Sequence, residues 1–489
     1  MTAAPARLGP LAGIVGFLAF VEFTSGIIQG YYTPMLTDIA RHLDVHDADV
    51  NWLEGSQLML SALVVPAFAK LGDMVGHKRM LLISTALTAA ASFALPFVDA
   101  FPLFLVAWAL QGFYVVWLPL EVALIWSRAR AIVARTGEGS AAALTAKAAG
   151  VLVAALEAGA ITGALLGGAL VDVLPLWIVL LVPASAVAAC LVVVAVGVAE
   201  SPYPTGGRFD TTGLVLVSLA LIALTGGLSM LRLSGPGDLT AWLVTAAGPV
   251  LLIPFALWEL RQADPLIDVR MFRAPALWPV FLTAGLFGVS VLGAQAPLST
   301  FARTDPEVHG YGLGTAGFTT SLLIGCYLIA MIAGALLFPV LARRASPRVA
   351  LVVAALCAGV GFLLFVPLHE TYLQVTANML LVGLGSGALV AALPSAAAAA
   401  APHGQTGVAT GLTNSVKTVG GAIASCVFGI ALLQGASGVA ESTAGSFAGY
   451  VTVWLVCGLT ALASAASLTL VPRDAFTDRA TPEATPRLR

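Results

Sequence analysis

The chain has 489 residues, of which 59% are hydrophobic and only 10% are charged, and its formal net charge is −2. A soluble protein carries roughly a quarter charged residues, so this chain cannot cover a water-exposed surface and its solvent must be a lipid bilayer. The near-zero net charge gives no basis for a nucleic-acid partner, and the five cysteines all lie in apolar stretches, as small core residues do.

Apolar stretches of about 20 residues are long enough to cross the hydrocarbon core as helices. We count fourteen, and their predicted limits are 11–36, 51–70, 79–99, 102–126, 143–170, 175–199, 212–231, 239–259, 276–300, 313–340, 349–368, 372–396, 406–433 and 448–471. Twelve spans is the alternative count, because an alanine run at 391–402 blurs helix and loop. The first run continues for about 25 residues, which is too long for the core of a signal peptide, so we expect it to be retained.

The basic residues indicate the orientation. With fourteen spans and both termini in the cytoplasm, all but four of the 23 Lys and Arg residues fall on the cytoplasmic side. The exceptions are Arg41, Arg232 and Arg303 outside and Lys417 within a span. Because cytoplasmic loops carry an excess of Lys and Arg, we expect a multi-pass protein of the cell membrane with both termini cytoplasmic. The polar tail, 472–489, is expected to be disordered.

A dense charge cluster, "LGDMVGHKR", lies between the second and third runs. Its notable residues are Leu71, Gly72, Asp73, Gly76, Lys78 and Arg79. A carboxylate near a helix N-terminus is favoured by the helix dipole, and the glycines permit a tight turn and a close approach of helices. A second basic cluster, 338–348, joins the tenth and eleventh runs in a similar way. Two similar halves are the usual organisation of a secondary transporter, with the substrate site between them.

The charge cluster resembles the cytoplasmic loop signature of the major facilitator superfamily, which it matches at Leu71, Asp73, Gly76 and Lys78. Segments 208–213, 256–272 and 407–424 resemble fourteen-span drug:proton antiporters of that superfamily. The resemblance implies an all-α polytopic membrane protein with the major facilitator fold. Its parts would be an N-terminal six-helix half at 1–199, two linker helices at 200–275 and a C-terminal six-helix half at 276–471.

The resemblance also implies a role for the charged loop. In the family this loop clamps the two halves together on the cytoplasmic side when the protein is open to the outside. The alternative is that its basic residues only set the topology.

A stretch in the fifth span, "GAITGALLGGAL", resembles the antiporter signature of the family. It matches at Gly159, Gly163, Gly167 and Gly168, while Ala164 stands where proline is usual. Glycines at four-residue spacing make a smooth helix face that a partner helix can approach closely. Ordinary helix packing is therefore the alternative reading of this motif.

Two positions depart from the family pattern. In the fourth span Gln111 matches the signature, but Trp108 stands where the family has the arginine tied to proton transfer. In the first span Ser25 stands where relatives usually have an aspartate. Glu22 lies about one turn earlier on a similar face, so it is a candidate substitute for that aspartate.

Four glutamates fall within the predicted spans of the first half of the chain, namely Glu22, Glu54, Glu121 and Glu157. A charge in hydrocarbon is costly, so such residues usually face a cavity and act there. We expect at least one of Glu22, Glu121 and Glu157 to exchange protons or to contact substrate, and Glu157 is the first choice because it directly precedes the glycine motif. The alternatives are a protonated structural role, pairing of Glu121 with Arg128, and a place for Glu54 in the outer interface.

Other polar and aromatic residues of the spans are candidates for a substrate cavity, because binding pockets combine apolar walls with a few polar groups. They are Gln29, Tyr31, Tyr32, Gln111, Tyr114, Trp117, Gln295, Asn378, Asn414 and Lys417. Lys417 could counter one of the glutamates or meet an anionic substrate. His42 and His46 have the i, i+4 spacing of a metal pair, but we expect a solvated outer loop there and no metal.

The sequence therefore predicts a secondary active exporter of small amphipathic molecules, driven by the proton gradient, and not an enzyme. No phosphate-binding G-x-x-x-x-G-K-[ST] motif occurs, and we expect no cofactor, with a small-molecule substrate and the lipid bilayer as partners of a monomer. A uniporter or importer without proton antiport is one alternative, which Trp108 and Ala164 favour. A non-transporting membrane receptor on the same fold is the other.

Overall fold

The computed structural model describes residues 11–136, 140–200, 209–263, 265–401, 406–434 and 443–471, and the structural statements below concern these residues. The tail at 472–489 and Arg208, the first residue of one motif, lie outside them. Within these described ranges, fourteen helical spans are long and apolar enough to cross a membrane, which confirms the predicted count. The described part of the chain contains helices and turns but no strand, so the all-α fold is also confirmed.

We number the spans 1 to 14 in chain order. They are Ala12–His42, Asp47–Val75, His77–Phe97, Phe101–Thr136, Ala143–Val171, Leu176–Gly197, Thr211–Ser234, Leu239–Glu259, Trp278–Arg303, Gly317–Arg344, Pro347–Leu364, Tyr372–Ala400, Val408–Leu433 and Phe447–Leu468. The helices of spans 5 and 13 begin slightly earlier, at Ala141 and Thr406.

Three spans consist of two α-helices each, and the breaks fall near the middle or the end of the span. Span 1 is made of Ala12–Tyr31 and Leu36–His42, with Pro34 between them. Span 4 is made of Phe101–Gln111 and Trp117–Thr136, joined by a short 3-10 turn. Span 9 is made of Trp278–Val291 and Gln295–Arg303.

The end of span 4 lies further from its predicted position than the end of any other span. The apolar pattern stops near residue 126, but the helix continues to Thr136 through Arg128, Arg130 and Arg135. Arginine is a good helix former, so the helix extends beyond the apolar segment with its charged turns. Hydropathy locates the apolar segment and not the end of the helix.

The spans pack as two groups, which we call the N-terminal group (spans 1–6) and the C-terminal group (spans 9–14). Span 5 packs along span 1 and span 13 packs along span 9, so the two groups repeat the same arrangement. The groups contact each other most extensively through two pairs, span 2 with span 13 and span 5 with span 10, and span 1 also contacts spans 9 and 10. The exact domain limits at 199 and 276 stay a prediction.

Spans 7 and 8 form a hairpin that packs over the contact between spans 2 and 13. Leu228 of span 7 belongs to an apolar cluster with Trp52 of span 2 and Cys426 of span 13. A second cluster joins Val217 of span 7 to Met59 and Ala422 of the same two spans. The hairpin therefore contacts both groups along this seam.

Candidate functional site

The bundle has two faces, which we call the loop face, where Leu71–Arg79 lies, and the opposite face. At the opposite face Arg303, at the end of span 9, donates to both carboxylate oxygens of Asp38 in span 1, at 2.8 and 2.7 Å. Its second terminal nitrogen lies 3.9 Å from Asp172 at the end of span 5. The Arg303 side chain is only 9% exposed, so the bond between the groups is sheltered from water.

Asp172 makes a second link between the groups. Its carboxylate accepts the backbone N–H of Gly317 at 3.0 Å and that of Phe318 at 2.9 Å, at the start of span 10. The first N–H groups of a helix have no partner within the helix, and the helix dipole favours a negative charge there. A residue of the N-terminal group thus caps a helix of the C-terminal group.

The antiporter-like glycines lie where helix backbones touch. A methyl group at Gly159, Gly163 or Gly167 would collide with a backbone carbonyl oxygen of span 1, and at Gly168 with Ser321 and Gly317 of span 10. Only glycine permits approaches this close. Three of the glycines therefore pack span 5 on span 1, and Gly168 packs the two groups together beside Asp172.

Two of the predicted glutamates meet in the middle of the N-terminal group. Glu22 of span 1 and Glu121 of span 4 are 0% exposed, and their carboxyl groups are hydrogen-bonding neighbours. No donor of a third residue among the described residues reaches any of the four oxygens. Two carboxyl groups can share a hydrogen bond only when at least one of them carries a proton, so the pair is a proton-holding arrangement.

An aromatic and amide cluster lies in the same group. The Gln111 side-chain amide donates to the hydroxyl oxygens of Tyr32 and Ser92, both at 2.9 Å. Trp108 is 1% exposed, and its ring lies 4.8 Å from that of Tyr32 and 6.0 Å from that of Phe104. The position that holds arginine in the family is therefore occupied by a packed apolar ring.

Tyr114 connects this cluster to the carboxyl groups. It lies within electrostatic range of both Glu22 and Glu54, and it is largely buried. Glu54 is half-buried in span 2, so it faces the interior of the group and not the outer interface alone. Three spans thus place ionisable or hydroxyl groups around one interior region.

Glu157 and Lys417 form a different constellation, between the two groups. Glu157 of span 5 lies within electrostatic range of Lys417 of span 13 and of Tyr327 of span 10. Both charged side chains are half-buried. Lys417 and Asn414 also line a small groove whose walls are apolar residues of spans 9 and 12 such as Phe287 and Leu389. Lys417 is therefore countered by a glutamate from the other half of the chain.

The charged loop is organised by a residue that the sequence reasoning missed. Glu200, after span 6, accepts the backbone N–H of Lys78 at 2.9 Å and that of Arg79 at 3.2 Å, in the first turn of span 3. Gly76 has φ of +115°, and a side chain there would collide with the Glu200 carboxylate. The carboxylate expected at the start of span 3 is thus supplied from 122 residues away.

Asp73 lies in the last turn of the span 2 helix, Val50–Val75, and its carboxylate is 3.2 Å from the imidazole of His77. The Lys78 ammonium donates to the carbonyl oxygen of Ala195 at 2.8 Å. These contacts lie within the N-terminal group. The predicted clamp role in the opposite conformation stays a prediction.

Several other predicted residues have local roles. Tyr31 donates to the carbonyl oxygen of Val179 at 2.8 Å, and the amide of Asn378 donates to that of Leu368 at 2.7 Å. Trp117 is fully buried, whereas Gln29 is exposed and Gln295 is half-buried. The pairing of Glu121 with Arg128, considered as an alternative, does not occur.

Arg128 makes a different contact because it lies about two turns further along the span 4 helix, near Glu200. It donates to the Glu200 carbonyl oxygen at 3.1 Å. Glu121 is thereby left to face Glu22, its hydrogen-bonding neighbour.

The two histidines of the predicted outer loop, His42 and His46, have different partners. His42 lies 3.3 Å from the carboxylate of Asp99, whereas the His46 Nδ1 accepts the backbone N–H of Ala48 at 3.1 Å. Burial lowers the pKa of His46, while the neighbouring Asp49 opposes this shift. Among the described residues no group of three or more His, Cys, Asp or Glu side chains could hold a metal ion.

The ion pairs that Arg303 and Arg232 make at the opposite face were missed because their aspartate partners lie far away in sequence. Their signal was the small number of basic residues that the sequence predicts outside. Each of the three pairs with an aspartate: Arg41 and Arg303 with Asp38, and Arg232 with Asp49 at 2.6 Å. Arg232 of the hairpin also lies over the ring of Phe101 at 5.4 Å. The three basic residues Arg41, Arg232 and Arg303 of the opposite face are therefore all paired with aspartates.

The chain is similar to a known protein family and to individual export proteins. Residues 18–425 match the model of the Major Facilitator Superfamily. The chain is 28% identical over 395 residues, 80% of its length, to the tetracenomycin C resistance and export protein of Streptomyces glaucescens, of which the match covers 70%. It is 29% identical over 245 residues to the cephamycin export protein CmcT of Amycolatopsis lactamdurans, covering 49% of this chain and 47% of that protein.

A solved structure shows the same fold. The crystal structure of a mutant of the nucleoside transporter NupG superposes with a TM-score of 0.65 at 14% identity. The match covers 94% of this chain and 99% of that one.

Proposed function

The chain belongs to the Major Facilitator Superfamily, and on this basis we propose that it exports small amphipathic molecules by proton antiport through alternating access. Its family and fold are those of membrane transporters, and it is an integral multi-pass membrane protein. The relatives named above are export proteins for antibiotics. Their names support a substrate of the same broad kind, a drug or a metabolite.

The observation that carries the proposal is the polar contact between the two groups at the opposite face. Arg303, Asp38 and Asp172 join them at the opposite face, and Gly168 packs there against span 10. Glu157 and Lys417 face each other at mid-depth. Closure at one face over a set of ionisable groups is the geometry that alternating access requires. We assign the loop face to the cytoplasm of the cell, so that this conformation faces inward.

The candidate groups for coupling and binding follow from their positions. Glu22, Glu54 and Glu121 lie inside the N-terminal group, while Glu157 and Lys417 lie between the groups, where a substrate would meet them. Lys417 and Asn414 lie beside apolar side chains such as Phe287 and Leu389, and a few polar groups against apolar walls suit an amphipathic ligand. The proton gradient is the proposed energy source, the protein works as a monomer, and no cofactor takes part.

Flux into proteoliposomes tests the proposal. Purified protein is reconstituted, a pH gradient is imposed, and uptake of tetracenomycin C and cephamycin is followed with and without a protonophore. We expect uptake of at least one compound to depend on the gradient. Flux that ignores the gradient would instead support the uniporter, which the packed Trp108 ring favours because it puts no charge at the family's arginine position.

A further inference from the structure

We propose that Glu22 and Glu121 together form the proton-carrying site of this protein, as one carboxyl pair that is separate from the Glu157–Lys417 site. The two residues come from spans 1 and 4, are 0% exposed, and have each other as hydrogen-bonding neighbours. Their part in coupling rests on the function proposed above, but their proton occupancy does not.

The surroundings of the pair favour a held proton. The titratable side chains that face it are Tyr114 of span 4 and Cys190 of span 6, and Glu54 lies beyond Tyr114. None of these is a cation, and within the described chain none of the four carboxyl oxygens accepts a hydrogen bond from a third residue. Two buried like charges side by side disfavour ionisation of both groups.

The pair is mechanically connected to the region between the groups. Span 1 packs backbone to backbone on span 5: a methyl group at Gly26 would collide with the Leu156 carbonyl oxygen, and one at Gly159 with that of Phe23. The turn that carries Glu22 therefore touches the turn that carries Glu157. A shift of span 5 when substrate enters between the groups must move span 1 as well.

The proposed step is a simple ionisation. When the pair becomes accessible from the loop face, the O–H bond of one carboxyl breaks, the proton passes to water on that side, and a carboxylate remains. When the pair faces the opposite side, a proton from the external water restores the carboxyl group. The step needs no further reactant, because water is the acceptor and the external hydronium ion is the donor.

Infrared spectroscopy of the purified, substrate-free protein tests the site directly. A protonated carboxyl has a C=O stretch that a carboxylate lacks. We expect this band at neutral pH in the wild type and a loss of band area in the Glu22→Gln/Glu121→Gln double variant. In each single variant the remaining band should shift, because its partner has become an amide. The exposed Glu370→Gln serves as the control and should keep the wild-type band.

Transport measurements separate this inference from the proposed function. In each single variant we expect gradient-driven flux to fall to the rate measured without a gradient. A double variant that is folded and keeps the full wild-type band would overturn the proton site. Flux of the wild type that ignores the gradient would overturn antiport while an observed band still supports the proton-holding pair. Glu22→Asp, which keeps the carboxyl, provides a folded variant if the glutamine variants are unstable.

Discussion

Replacing Asp172 by alanine should open the opposite face. The substitution removes two hydrogen bonds, of 3.0 and 2.9 Å, to the start of span 10, and a 3.9 Å contact with Arg303. Loss of a helix N-cap costs about 0.5–2 kcal/mol. The Asp172 side chain is 31% exposed, so water screens its ion pair and we assign that contact about 0.5 kcal/mol or less.

The total is about 0.5–2.5 kcal/mol, which corresponds to a change of roughly 2- to 70-fold in an equilibrium constant. Both links join the two groups, so their loss shifts the equilibrium between the conformation with a closed opposite face and the conformation with an open one. This holds when the open conformation lacks both links. We therefore expect the open population to rise by that factor.

Pulsed electron–electron resonance measures this population. Spin labels at Phe97 and Val308, which are 70% and 59% exposed, report the distance between the groups at the opposite face on a cysteine-free background. Asp172→Ala should increase the population of long distances. Asp172→Asn should have a smaller effect, because asparagine is also a good N-cap.

The matched control is Asp238→Ala. Asp238 accepts the backbone N–H of Thr240 at 2.9 Å and caps span 8 within the hairpin, so its loss should leave the distance unchanged. If Asp172→Ala folds normally and keeps the wild-type distance distribution, the two links do not hold the face closed and the argument is wrong.

Three further predictions concern the faces of the bundle. A cysteine at Val75, which is 42% exposed beside the charged loop, should react with an impermeant thiol reagent only in inside-out vesicles, and reaction in intact cells would refute the orientation. Asp73→Asn should reduce flux without reducing the amount of inserted protein, whereas unchanged flux would mean that the loop only sets topology. Burial lowers the pKa of His46 from 6.5, so below that pH the unfolded state binds more protons and stability falls. The melting temperature of the wild type should therefore drop between pH 7 and 5 by more than that of His46→Asn, and equal drops would contradict this.

The sequence by itself determined the spans, the fold class and the resemblance to a transporter family. Hydropathy is a local property, because each helix satisfies its own backbone hydrogen bonds in lipid. For this reason the fourteen predicted segments agree with the observed spans, including span 12, where the alanine run continues as helix to Ala400. The residue types in the spans also predicted which glutamates are buried in the first half of the chain.

Only the tertiary structure decided which of these residues face each other. Glu22 meets Glu121 and not Arg128, Glu157 faces Lys417 across the two groups, and Glu200 caps span 3. Each of these contacts depends on the order and rotation of helices that are far apart in sequence. Helix rotation is set by close backbone packing, such as that of Gly159 on Phe23, and no local pattern of charge or hydropathy specifies the partner against which a helix packs.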